Sequence, residues 1–101
     1  MATTRDAKRR PTHPGAILRE DVLPALNLTQ TACAQRLGVS RLTVSELLHE
    51  KRGVPPDMAL RLGRMLGNGP GVWLRMQQAL DLWELERTKA LDYAAIERIA
   101  A

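Results

Sequence analysis

The apolar positions of this chain fall into short runs with helical spacing, separated by Gly, Pro, Asn, Ser and Thr. Residues 1–12 (MATTRDAKRRPT) have no hydrophobic period and read as a disordered basic arm, solvated unless Arg5, Lys8, Arg9 and Arg10 touch phosphates. The folded part is expected to begin near His13, with Pro14 at the first position of a helix, where a missing N–H costs nothing. Ile17, Leu18 and Val22 give that helix its stripe, and Pro24 is expected to stop or kink it near Leu23. Asn27 suits a left-handed turn. Thr29 is placed as the N-cap of a helix over residues 30–37, which Gly38 ends. Ser40 is placed as the N-cap of a further helix from Arg41 to about His49. After a charged loop over residues 50–54, Pro56 opens a fourth helix with Asp57 in its first turn. Met58, Ala59, Leu62, Met65 and Leu66 share one face of it, and Arg61 and Arg64 point away. The run Gly67-Asn68-Gly69 breaks it.

The fifth helix, over about residues 70–87, carries two apolar stripes. Val72, Trp73, Met76, Ala79, Leu80 and Trp83 form a wide one. Leu74, Leu82 and Leu85 form another, set apart by Gln77, Asp81 and Glu84. One stripe docks the helix on a core. The second implies another surface to cover, and Leu74, Leu82 and Leu85 are the dimerisation candidates. Residues 88–101 are a tail with room for one short helix, in which Leu91, Ile96 and Ile99 are sparse.

Composition narrows the class. The 101 residues suffice for one domain, and 45% of them are hydrophobic. Aromatics make up 3%, with no Phe, so the core is built of Leu, Ala, Met, Val and Ile; this favours an all-α fold. The net charge of +4 permits a polyanion as partner without demanding one. Cys33 is the single cysteine, which excludes an internal disulfide. His13 and His49 stand apart with no ligand spacing, so no metal is expected. There is no signal-peptide pattern and no apolar run of about 18 residues, so the expectation is a cytoplasmic protein without a membrane segment. No nucleophile–base arrangement and no phosphate-cradling glycine loop is visible. Neither an enzyme nor a cofactor is expected.

The stretch over residues 30–48, QTACAQRLGVSRLTVSELL, carries the functional signal. A helix-turn-helix needs two short helices crossing at a large angle, with a residue at ease with positive φ between them, which Gly38 supplies. Ala34 is the small residue where the second helix crosses. Val39, Val44 and Leu47, with Leu37 and Cys33, are the inward anchors. What remains outward on the second helix is Ser40, Arg41, Leu42, Thr43, Ser45, Glu46 and His49. This suits base edges in a major groove: Arg41 for guanine, Leu42 for a thymine methyl, and Thr43 and Ser45 as adaptable polar groups. Glu46 either accepts from a cytosine amino group, forms an i, i+5-like contact network, or repels phosphates. Phosphate contacts are assigned to the rim: Thr29 and Gln30 at a helix N-terminus, Ser40 and His49 at the ends of the second helix, and Lys51 and Arg52 just beyond it.

Taken together, the HPG-IL-E opening, the LTQ…LGVSR…S-LL centre, the KRG loop, the P-MALRL helix and the WL…DLW ending resemble the HigA family of antitoxins. That family lies within the lambda-repressor-like helix-turn-helix group. The likeness spans about residues 11–87. It implies a five-helix bundle and a homodimer that binds inverted-repeat double-stranded DNA at the operator of its own operon. It also implies a HigB-type, messenger-RNA-cleaving toxin as the second partner. Without a toxin gene beside it, the same domain would be a stand-alone, phage-like regulator. Asn27 departs from the family pattern, standing where a glycine is usual, and Gly69 and Gly71 replace residues that usually cap and start the last helix.

Overall fold

The computed structural model describes residues 9–100. Most of the basic arm, including Arg5 and Lys8, lies outside the described residues. The first rod starts at His13, whose imidazole Nδ1 accepts the Gly15 N–H at 2.9 Å and so caps α1 (Pro14–Ile17). Of the two outcomes expected at Pro24, a stop or a kink, the rod does not stop. The chain instead passes through a π-helical turn, Leu18–Val22, and runs on as α2 (Leu23–Leu26). In that wider turn the Leu23 N–H bonds the carbonyl five residues back, on Leu18. Widening accommodates a proline that has no N–H to give and whose ring would crowd a regular α-turn.

Four further helices follow the expected order: α3 (Gln30–Leu37), α4 (Arg41–Leu48), α5 (Pro56–Leu66) and α6 (Gly71–Thr88). A short α7 (Ala90–Ala94) forms in the tail, and no strand occurs among the described residues. With the first rod, this is the expected five-helix bundle plus a C-terminal extra.

The core is aliphatic, as the composition required. Leu18 and Leu23 of the first rod meet Cys33, Ala34 and Leu37 of α3, Val44, Leu47 and Leu48 of α4, Met58, Ala59 and Leu62 of α5, and Trp73 of α6. Leu48, absent from the inward set read from sequence, is buried, whereas Val39 is only half-buried. Burial pushes the Cys33 thiol above its usual range, in keeping with a small core residue. The loop before α5 is tied to α6 by the Val54 N–H, which donates to Gln77 Oε1 at 2.8 Å. Trp73 donates its indole N–H to Asn68 Oδ1 at 3.3 Å, closing the α5–α6 turn.

Gly15 brings the first rod against the C-terminal end of α4. A Cβ there would overlap the Leu47 carbonyl, so the backbones approach more closely than any side chain allows. Gly15→Ala is expected to destabilise the fold by roughly 3 kcal/mol or more, because the obstacle is backbone and cannot swing aside. Urea unfolding of the two proteins measures it; a loss below about 1 kcal/mol would mean that the rod shifts freely.

His13 is buried, and desolvation holds its imidazole below the usual 6.5. Glu50 and Glu84 nearby pull the value up, and Arg10 and Arg19 push it down. Protonating Nδ1 would also abolish the cap. Because the folded value lies below the unfolded one, His13 contributes fully above about pH 6.5, and the contribution is lost as pH falls toward the folded value. Thermal stability should therefore drop on acidification from pH 7.5 to 5.5. His13→Asn, which keeps a capping acceptor without the titration, should flatten that drop; an unchanged pH profile would remove His13 as its source.

Candidate nucleic-acid interface

The helix-turn-helix is α3, the turn at Gly38, and α4. Thr29 Oγ1 accepts the Ala32 N–H at 3.1 Å, capping α3 as expected. Gly38 sits at φ 71°, ψ 33°. There the Gly38 N–H reaches the Gln35 carbonyl at 3.2 Å, and the Val39 N–H reaches that of Ala34 at 3.0 Å. This is the paired closure of a Schellman motif, and it redirects the chain at once into α4. Ser40 Oγ accepts the Thr43 N–H at 3.0 Å and starts the second helix.

α4 offers Arg41 and Leu42 outward, with Leu42 67% exposed. Thr43, Ser45 and Glu46 are half-buried on its flanks, and His49 is exposed at its end. The His49 ring Nδ1 lies 2.7 Å from the Ser45 carbonyl, which orients the imidazole along the helix. Arg41 has no ion-pair partner among the described residues, so its fork of donors is uncommitted.

Glu46 and Arg52 were assigned separate roles, yet the structure brings them together: Arg52 Nη2 bonds Glu46 Oε1 at 2.8 Å. Glu46 is thus engaged with a cation six residues on, just beyond the end of α4. Lys51 and Arg52 are exposed beyond α4, and Gln30 is half-buried at the start of α3. Thr29 and Ser40 use an oxygen lone pair in capping. The Thr29 hydroxyl keeps its proton to donate, and Ser40 shares a proton with Thr43 Oγ1 across 2.8 Å.

Three arginines outside the motif were not legible as part of it. Arg61, read as pointing away, donates to the Leu37 carbonyl at 2.8 Å and the Gly38 carbonyl at 3.3 Å. Arg19 donates to the Leu48 carbonyl at 2.7 Å and pairs with Glu50 at 3.3 Å. Arg10 bridges Glu50 at 3.5 Å and Glu84 at 3.1 Å. Burial works against the Glu50 carboxylate, but hydrogen bonds from Arg19 and Arg10 and the nearby His13 hold it below the usual carboxylate range. No residue type at a short spacing announces such contacts, because their acceptors, backbone carbonyls and carboxylates alike, lie far away in sequence.

On α6, Trp73 and Leu80 are buried, while Leu74, Leu82 and Leu85 are exposed at 37%, 53% and 42%. Beside them runs a groove of about 720 Å³ floored by Val54, Pro55, Pro56 and Leu74. Among the described residues no group of three His, Cys, Asp or Glu is placed to hold a metal, and no helix is long and apolar enough to cross a membrane.

Comparison with known proteins agrees with this architecture. No family model matches the chain. Antitoxin HigA-1 of Vibrio cholerae is 40% identical over 80 residues, 79% of this chain and 75% of the relative. The solved structure of Pseudomonas aeruginosa antitoxin HigA with the higBA promoter superposes with a TM-score of 0.84 at 34% identity, covering 90% of this chain and all of that one. Antitoxin GraA in complex with its operator gives 0.83 at 36% identity, over 98% of this chain and all of that one. These relatives are antitoxins and not enzymes, as expected of a chain without catalytic groupings. The chain belongs to the HigA family of antitoxins, helix-turn-helix proteins of the lambda-repressor-like fold.

Proposed function

We propose that the chain is the DNA-binding antitoxin of a two-protein module, repressing its own operon and neutralising a HigB-type, messenger-RNA-cleaving toxin in the cytoplasm. The observation that carries the DNA-binding part is the outward side of α4, with Arg41 and Leu42 exposed and uncommitted on a helix whose other side is locked in the core. Arg41, Leu42, Thr43, Ser45 and Glu46 face the bases in this reading. Thr29, Gln30, Ser40, His49, Lys51 and Arg52 meet the backbone. For Glu46 to read a base, its bond to Arg52 must open, and Arg52 would then be released toward a phosphate.

Two protomers joined through Leu74, Leu82 and Leu85 would present two copies of α4. Such a dimer reads half-sites about 34 Å apart, so the operator is an inverted repeat. The toxin is met by protein contact. Co-expression with the adjoining gene should yield a co-purifying pair and restore growth; operator binding without rescue would make the chain a stand-alone regulator instead.

Arg41→Ala should cost roughly 1–3 kcal/mol on the operator and relax preference at one base pair. A loss equal on every duplex would make Arg41 a phosphate contact. Leu82→Glu places a charge in the proposed subunit interface and should convert a dimer to a monomer in sedimentation, weakening operator binding with it. A dimer that survives the change would move the interface elsewhere.

A further inference from the structure

Two arginines that lie outside the helix-turn-helix hold its two C-terminal ends. We propose that Arg61 and Arg19 are positioning residues for DNA recognition: they fix the angle at which α4 is presented. The proposal rests on the DNA-binding reading above and names side chains that this reading leaves unused.

Each helix ends with carbonyls that lack a partner inside it. At the end of α3, Arg61 Nη1 donates to the Leu37 carbonyl at 2.8 Å and to that of Gly38 at 3.3 Å. The same guanidinium is held from behind, since Nε donates to Asp57 Oδ2 at 2.9 Å, one turn earlier on α5. α5 is anchored in the core by Met58 and by Ala59 and Leu62, the last two fully buried. Arg61 thus ties the turn between the two helices directly to the rigid body.

At the far end of α4, Arg19 Nη1 donates to the Leu48 carbonyl at 2.7 Å, reaching across from the π-helical turn of the first rod. It also pairs with Glu50 at 3.3 Å. Glu50 is a non-glycine residue at φ 61°, where the chain leaves α4 by a left-handed turn. That conformation is uncommon for a side chain of its size and needs outside support. Arg19 holds both the last carbonyl of the recognition helix and the residue that ends it.

One cation therefore sits at each helix C-terminus, where the macrodipole favours it. Each spends its donors on acceptors within the chain, which leaves little for a phosphate. A lysine could supply the charge, but not a planar fork that bonds two acceptors in fixed directions. Base readout is directional and short-range, whereas attraction to phosphates is diffuse. A small tilt of α4 should therefore harm the first far more than the second.

The test uses the full chain and two probes: a duplex selected by the wild-type protein from a randomised pool, and a scrambled duplex of equal length. Arg61→Lys and Arg19→Lys keep the charge and lose the fork. Each should weaken binding to the selected duplex roughly tenfold, change binding to the scrambled one less than about twofold, and leave the salt slope unaltered. Asp57→Asn, which loosens Arg61 without touching the turn, should move the ratio in the same direction by less. It keeps the test open should an arginine variant fail to fold. If both duplexes weaken alike and Arg61→Met or Arg19→Met lowers the salt slope by about one, these residues are phosphate contacts and the proposal falls. It falls equally if the variants lose thermal stability while the selected-to-scrambled ratio stays at the wild-type value. A wild-type protein that selects no sequence would instead overturn the DNA-binding reading itself.

Discussion

Everything in this fold depends on ending short helices abruptly. α3 and α4 have eight residues each, too few to be stable alone. They persist because their ends are closed and their inner faces are buried. Three times the chain uses the same closure, a left-handed residue flanked by two N–H groups that return to the last turn. Asn27 does so after α2, Gly38 after α3 and Glu50 after α4. At Asn27 the Leu28 N–H bonds the Leu23 carbonyl at 2.9 Å; at Glu50 the Lys51 N–H bonds that of Glu46 at 2.8 Å. Each closure turns the chain sharply, and the one at Gly38 lets α4 cross α3 with its Arg41 side facing out.

The three closures were not equally legible. Gly38 announces itself, because glycine in that window has few other uses. Asn27 is a fair second, since its short polar side chain tolerates the left-handed region it occupies at φ 51°. Glu50 could not be read: nothing local marks a glutamate for positive φ, and its support comes from Arg19 and Arg10, far away in sequence. The caps at Thr29 and Ser40 were legible for the opposite reason, each being complete within four residues. Pro24 does not stop the rod, because the chain widens one turn to pass it. Leu48 joined the core because α4 is packed by both α3 and the first rod, which widens its buried face beyond a single stripe.

The distribution of charge follows the same logic. A net +4 said little about where cations are available. Arg10, Arg19, Arg52 and Arg61 are each bonded to a carboxylate or a carbonyl within the chain. Arg41 is not. On the α4 surface, then, Arg41 is exposed and in no ion pair among the described residues, while Arg52 just beyond the helix is held by Glu46. This division could not be deduced from composition.

α6 joins this frame to whatever lies outside it. At 100° per residue, Leu74, Leu82 and Leu85 fall within about 80° of one another, nearly opposite Trp73 and Leu80. One side of α6 is therefore fixed in the core through Trp73, and the other is left apolar and exposed. A helix with two such sides transmits position. Gln77, midway between them, holds the loop that follows α4 through the Val54 N–H. Any subunit packed on the leucines would be referenced to the recognition helix through a single rigid segment and one short loop. A constant spacing between two copies of α4 would require a linkage of this kind, which is why the proposed subunit interface is placed on these leucines.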